Sequence, residues 1–257
     1  MSRVLITGSA DGLGLMAARR LIDDGHAVTL HARDEARASE ALSSAPGAAG
    51  ALAGDLASIR QTRALAEQAV VAGPFDAVIH NAGVGYRESH RVETEDGLAH
   101  VFQINVLAPY LLSALITVPK RLVYLSSGLH RSGDPALGDL QWRRRAWNGM
   151  QAYSDSKLFD VVLAFALARR WPATRSNALE PGWVATKMGG AGAPDDLQQG
   201  AETQVWLAAS DDPKAAVSGR YFYHLRPREP HPAASDRSVQ DGLLHACEQI
   251  TDTALPA

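Results

Sequence analysis

Cysteine is almost absent: Cys247 is the only one in 257 residues. No intramolecular disulfide can form, and nothing points to an oxidising compartment. Excess charge of either sign is also missing. Lys and Arg number 25 against 28 Asp and Glu, a formal balance of −3, which gives no electrostatic reason to expect nucleic acid or an anionic membrane as partner. The most basic cluster, Arg143-Arg144-Arg145 between Trp142 and Trp147, reads as a solvated helix face. Long apolar runs are lacking too. The longest, near Val106–Val118, carries Pro109 and Ser113 and is too short to span a bilayer. The opening residues show no basic region followed by an apolar one, so no secretory signal is expected. A cytoplasmic protein that binds no membrane follows. The nine histidines make no metal-ligand spacing, and no metal is expected.

What the chain does have is a steady β-α alternation at a length natural for one α/β domain. Val4-Leu5-Ile6 reads as a buried parallel strand. Thr7-Gly8-Ser9-Ala10-Asp11-Gly12-Leu13-Gly14 follows, and then Leu15–Leu21 with helical spacing. Strand, glycine turn and helix together make the glycine spacing meaningful. Gly8 permits a tight turn, Gly12 lets a backbone approach a pyrophosphate, and Gly14 lets the helix pack close. Without that context the glycines would be a structural turn only.

A second strand, Ala27–Arg33, ends at the position that faces an adenosine ribose in dinucleotide folds. An arginine there accommodates a 2′-phosphate, so Arg33 is the candidate. Asp34 reads as the cap of a helix over Glu35–Leu42. A weak third strand at Ala51–Ala53 leads to Gly54-Asp55-Leu56, and Ser58 caps a helix to about Val71. A fourth strand, Phe75–His80, closes with Asn81-Ala82-Gly83, small residues that let a planar ring lie close. One long helix is expected from about Glu93 to Ile116, with Asn105 inside it either facing solvent or held for a role. A fifth strand, Arg121–Leu125, ends in Ser126-Ser127, where ligands bind in parallel sheets.

Gly128–Met150 is an irregular, lengthened loop, a place where function collects. Behind it, Tyr153-Ser154-Asp155-Ser156-Lys157 opens a long apolar helix to Arg170. Four residues apart, Tyr153 and Lys157 share a helix face. An ammonium near a phenol favours the phenolate and is expected to lower the Tyr153 pKa, giving a usable proton donor and acceptor. Taken alone the pair could equally be a surface contact. A sixth strand, Ser176–Leu179, precedes Glu180-Pro181-Gly182-Trp183; a helix over Asp195–Ala209, a seventh strand over Gly219–His224 and a last helix near Val239–Ile250 complete the chain. The alternation argues for a doubly wound parallel sheet.

In these residues the chain resembles the short-chain dehydrogenase/reductase family over almost its whole length. Thr7 to Gly14 resembles its phosphate loop, with Gly8, Ser9, Asp11, Gly12, Leu13 and Gly14 as cofactor contacts. Asp55-Leu56 looks like its adenine contact, and Asn81-Ala82-Gly83 matches its N-A-G element. Pro181-Gly182 with Val184 and Thr186 resembles its nicotinamide-side motif. Asn105, Ser127, Tyr153 and Lys157 fall where the family keeps its catalytic tetrad. The pattern selects Ser127 over Ser126.

Within the family the chain looks most like the retinol-dehydrogenase, WW-domain oxidoreductase and protochlorophyllide-reductase-like branch. The evidence is His31-Ala32-Arg33-Asp34-Glu35-Ala36-Arg37-Ala38, Ser126-Ser127-Gly128-Leu129-His130, Gly138-Asp139-Leu140 and the segment around Tyr153. Ser127 precedes Tyr153 by 26 positions, as that branch's insertion requires. Glu180 departs from the pattern and puts a carboxylate near the nicotinamide end.

The resemblance implies a single Rossmann-type domain, 1–257, with a seven-stranded parallel sheet and helices on both faces. The insertion 128–150 and the tail 225–257 would form the substrate side. It implies hydride transfer between a nicotinamide cofactor and a carbonyl/alcohol pair; Arg33 favours NADP(H) over NAD(H), and the apolar composition of the segments expected to build the pocket fits a lipophilic or aromatic ketone or aldehyde. Tyr153 would protonate the carbonyl oxygen and Ser127 would hold it. Lys157 would lower the Tyr153 pKa and bind ribose hydroxyls, and Asn105 would anchor a water. A homodimer or homotetramer through the helices Glu93–Ile116 and Tyr153–Arg170 is a further implication, one the insertion would oppose. A silent dinucleotide sensor or scaffold is the competing reading, and the intact tetrad argues against it.

Overall fold

The computed structural model describes residues 1–256. One sheet organises them. Its strands are β1 (Arg3–Ile6), β2 (Ala27–Ala32), β3 (Gly50–Ala53), β4 (Ala77–His80), β5 (Arg121–Leu125), β6 (Arg175–Glu180), β7 (Tyr221–Tyr223) and β8 (Arg226–Arg228), in the order β3-β2-β1-β4-β5-β6-β7-β8. All neighbours are parallel except β7 and β8. Val4, Leu5 and Ile6 sit between Val28, Thr29 and Leu30 on one side and Ala77, Val78 and Ile79 on the other. The strand order reverses at β1, and a crevice opens there at the strands' carboxyl ends.

The helices are α1 (Gly12–Asp23), α2 (Glu35–Ser44), α3 (Ile59–Ala72), α4 (His100–Phe102), α5 (Ala108–Leu115), α6 (Gly149–Arg170), α7 (Leu197–Ala209) and α8 (Arg237–Thr251). Alternate strand residues divide the core. Leu5, Val78, Leu122 and Ala178 pack under α3, α5, α6 and α8. Val4, Ile6, Ile79, Val123 and Leu179 pack under α1 and α7. The caps read from the sequence are present. Asp34 accepts from Arg37 N at the head of α2, and Ser58 from Gln61 N at the head of α3. No helix among the described residues is long and apolar enough to cross a membrane.

Four expectations change. The sheet has eight strands, not seven. The extra one, β8, pairs antiparallel with β7 across a two-residue turn, His224-Leu225, in which both residues have positive φ (47° and 63°). That is the geometry of a type I′ hairpin. Pro227 and two flanking arginines leave β8 a poor template for further pairing.

The helix expected over Glu93–Ile116 begins only at His100. Before it, Glu93 pairs with Ala99 and Thr94 N donates to Leu98 O in a tight loop with Gly97 at φ 72°. Between α4 and α5 the backbone widens into a π-helical turn, Gln103–Leu107, where Ala108 N donates to Gln103 O, five residues back. Pro109 explains the widening, because it has no N–H to give the carbonyl of Asn105.

Arg143–Arg145 is not a helix face. Arg145 stacks on Trp142 at 3.7 Å and reaches Asp155 at 2.7 Å. The tail 225–257 lies mostly away from the site, with α8 packed on α6 and α5.

Candidate active site

The loop after β1 is folded by its own small residues. Gly8 takes φ 62°, and a Cβ there would fall 2.8 Å from Ala82 Cα. At Gly14 a Cβ would meet Asn81 Nδ2 and Gly8 O at 2.5 Å, so α1 seats against β4 only with glycine. Asn81 Nδ2 donates to Thr7 O and Gly8 O, and Thr7 Oγ1 accepts from Asn81 N and Ala82 N. His31 supports the same loop from β2. Its Nδ1 accepts from Gly8 N and its Nε2 donates to Gly54 O. Burial lowers the His31 pKa, which keeps the ring neutral for that pair of bonds.

Thr7 and His31 were not among the expected contacts; Thr7 stands at the head of the glycine motif, and His31 opens the segment that carries the branch resemblance. Asp11 makes no capping bond at the head of α1, leaving that helix's first N–H groups to a ligand anion. Asn81 Oδ1 is buried without a partner. A Cβ-free cradle, open helix N–H groups and an orphaned amide oxygen fit a dinucleotide.

A cleft of about 1320 Å³ runs from this loop along the strand ends. Gly8, Asp11, Gly12 and Leu13 line it, with Arg33, Asp55 and Leu56 at one end. Asn81, Ala82 and Gly83 also line it, with Ser127, Tyr153, Lys157, Pro181 and Gly182 toward its other end; Val184 and Thr186 line it close to the glycine loop, Thr186 Cγ2 lying 3.8 Å from where a Cβ on Gly12 would be. Ser9, Gly14 and Asn105 stand behind the wall. The Ser9 hydroxyl is spent on Ile6 O and His31 N.

At the Arg33 end, the guanidinium is exposed beside Asp34 at 3.3 Å. The bond from Arg37 N holds the Asp34 carboxyl below its usual range and turns it toward α2. Arg37 reaches Asp11 at 2.9 Å, and Lys187 reaches the same carboxylate at 2.6 Å.

At the other end the serine pair divides. Ser126 is buried, and its hydroxyl donates to Lys157 O at 2.7 Å. Both serines border the cleft, but the Ser127 hydroxyl only accepts, from Leu129 N at 3.3 Å, and keeps its proton to donate. Tyr153 is buried under the edge of Tyr86, with its hydroxyl toward Met188 Sδ at 3.8 Å.

The expectation that Lys157 sets the Tyr153 pKa below its ordinary value does not hold. Burial dominates and pushes the phenol up, against the downward pull of the Lys157 charge and the Ser127 hydroxyl. Tyr153 is therefore a protonated group at neutral pH. Lys157 is itself buried, and its Nζ donates to Leu125 O and to Asp160 Oδ2, both at 2.7 Å.

Asn105, fully buried in the π-helical turn, donates to Val84 O and Ser156 Oγ and accepts from Val84 N. Its amide is committed to backbone and helix, so what it visibly does is hold Val84 against α6. π-helical turns recur at functional sites for this kind of placement.

The insertion contributes Gly128, Leu129 and Met150 to the cleft. It is tied to α6 through Asp155, which accepts from Asp134 N and Arg145, and through Gln151, which donates to Ser132 O. Glu180 faces the cleft paired with Arg131 at 3.0 Å, so its carboxylate is neutralised from the insertion. The tail reaches this edge through Glu229 O, which accepts from Arg131 at 3.5 Å. None of its described residues lines the cleft.

A family model described as short chain dehydrogenase matches residues 2–122. The chain is 44% identical to the short-chain dehydrogenase chyC of Penicillium rubens over 261 residues, covering 100% of both proteins. It is 35% identical to retinol dehydrogenase 14 of Mus musculus, over 95% of this chain and 84% of that one. The crystal structure of a Mycobacterium paratuberculosis protein superposes with a TM-score of 0.86 at 28% identity, covering 100% of this chain and 96% of the other.

Proposed function

The chain belongs to the short-chain dehydrogenase family of oxidoreductases, on its retinol-dehydrogenase-like branch, and from that premise we propose that it reduces a lipophilic or aromatic ketone or aldehyde with NADPH. The observation that carries this reading is the pairing of a cleft-facing Ser127 with a buried, protonated Tyr153 on the same wall. Ser126, the alternative, also borders the cleft, but its hydroxyl proton is used on Lys157 O.

A nicotinamide dinucleotide, when bound, supplies the hydride chemistry. The residues do the rest. The head of α1 and the glycine loop receive the pyrophosphate, and Arg33 meets the 2′-phosphate. The Lys157 N–H not used by Leu125 O and Asp160 is available to the ribose hydroxyls. Ser127 donates to the substrate carbonyl oxygen and Tyr153 gives that oxygen its proton. A phenol held protonated by burial favours the reducing direction. Tyr86, Ile104, Leu129, Met150, Trp183 and Met188 make the cleft wall apolar and aromatic beside the reacting groups, which suits a flat or lipophilic carbonyl compound.

The test is a panel of ketones and aldehydes assayed with purified protein at saturating NADPH. Turnover of aromatic or lipophilic members is expected. Tight NADPH binding with no turnover of any member would instead identify a dinucleotide sensor.

A further inference from the structure

Asp160 is a buried acid with no place in the roles assigned so far. It lies one turn beyond Lys157, so that Tyr153, Lys157 and Asp160 follow one another at i, i+4 and i+7 along a single face of α6. Its carboxylate accepts from Lys157 Nζ at 2.7 Å, and both side chains are about 95% buried. A lysine so placed is in difficulty by itself, because desolvation favours the neutral amine. Two of the three ammonium N–H groups point inward, to Leu125 O and Asp160. Nζ also stands 3.3 Å from where a Cβ on Gly83 would lie, which leaves the third N–H for the cleft.

We propose that Asp160 is a positioning residue for the reductase reaction: it keeps Lys157 an ammonium and aims its remaining N–H at the cofactor side of the cleft. This rests on the reductase reading above. The electrostatics agree with the geometry. Burial pulls the Lys157 pKa down, yet the Asp160 charge, with Tyr153 and the hydrogen bond, carries it above its ordinary value. Burial in turn pushes Asp160 up to about 6 against the pull of Lys157. The other titratable groups that act on the pair are Tyr153 and, from β5, Tyr124, both phenols raised by burial. His80 of β4 stacks on Tyr124 and is held neutral, its pKa lowered to about 3. No second cation stands among them to replace Asp160.

The test has two parts. In the first, carbonyl reduction with NADPH is followed against pH for wild type, Asp160→Asn and Asp160→Glu. With Asp160→Asn, Lys157 sheds its proton more readily. The alkaline limb of kcat should move down by at least about one pH unit, with about a tenfold loss of kcat at neutrality. KM for the carbonyl substrate should change little, since Ser127 and Tyr153 are intact. Asp160→Glu should restore most of the rate and the original limb. A profile for Asp160→Asn that superimposes on wild type overturns the proposal.

The second part needs no substrate and so separates this proposal from the functional reading. Thermal unfolding is measured for Asp160→Asn, Lys157→Met and the double variant. Each single change strands a buried charge or acceptor, and the double variant should recover stability relative to Asp160→Asn. If Asp160→Asn does not fold and the double variant does, the pairing stands. Strictly additive losses, or failure of the double variant as well, would show that Asp160 serves the fold independently of Lys157.

Discussion

Tyr153 is the proposed acid because, among the hydroxyls that line the cleft, its buried phenol is the one acted on by both the Lys157 charge and the Ser127 hydroxyl. Tyr153→Phe removes the proton and little else, since the glycine loop and Arg33 are remote from it. Activity should fall below about a tenth of wild type, general acid catalysis being worth typically 10²–10⁴-fold, while NADPH titration by fluorescence should give an almost unchanged Kd. Substantial residual turnover would remove Tyr153 from the role of acid.

Arg33 makes the second claim at this scale. One carboxylate oxygen of Asp34 caps α2 and the other accepts from Arg33 Nε at 3.3 Å, which leaves the two terminal amino groups of the guanidinium to meet a phosphate. In Arg33→Ala, kcat/KM with NADPH should drop by roughly 1.5–3 kcal/mol, the value of a hydrogen bond to a charged group, with little change for NADH. Equal losses with both cofactors, or a wild type preferring NADH, would mean that Arg33 does not read the 2′-phosphate.

Among the elements, α1 depends most on a single missing side chain. Its approach to the glycine loop leaves no room for a Cβ at Gly14, where Asn81 Nδ2, Gly8 O and Ser9 Cα are all within 2.9 Å of the Cβ position. Backbone cannot yield as a flexible side chain can. Gly14→Ala should therefore displace the head of α1, costing about 1–3 kcal/mol as overpacking does and weakening NADPH binding by about tenfold or more. Chemical denaturation and cofactor titration measure the two effects. A variant with wild-type affinity would show that α1 does not need that seat.

The π-helical turn is the other element that sets the site. Its position follows from Pro109, and it delivers Asn105 to Val84 and Ser156.

For the whole molecule, the question is what covers α6. Nearly all of it from Ala152 to Leu167 is buried, so it has no free side to offer. α8 lies across it, and the chain beyond α8 is tied down. Tyr110 Oη donates to Thr253 O at 2.8 Å, Arg63 reaches Thr253 Oγ1 at 2.7 Å and Trp171 Nε1 donates to Pro256 O at 3.2 Å. The helices expected to join subunits are thus occupied by the protein's own tail. Light scattering should accordingly return a mass near 27.4 kDa. Truncation after Asp236 uncovers apolar surface on α5 and α6 and should produce dimers or aggregates. A full-length dimer whose interface runs through α6 would contradict this.

The sequence by itself determined the β-α order, the glycine loop, the helix caps at Asp34 and Ser58, and most of the residues that line the cleft, though not that Ser9, Gly14 and Asn105 stand behind its wall. Each rests on a local rule: a strand's apolar run, a glycine's freedom, a helix's periodicity, a cap's short reach. What lay beyond it depended on partners distant in the chain. The hairpin at His224-Leu225 lacks the Asn or Gly that usually marks such a turn, and it is held by pairing with β7. The loop before His100 is closed by Thr94 and Leu98, in a stretch whose composition reads as helix. Arg145 left its supposed solvent face because Asp155, on another element, offered a buried acid.

The direction of the Tyr153 pKa reversed for the same reason. The spacing of Tyr153 and Lys157 reports the attraction between them, but only the packed structure sets how much water is excluded. Desolvation is a property of everything around a group, and no local pattern encodes it. Asp160 stood in plain view one turn past Lys157, and only its burial with that lysine gave it a part in the site.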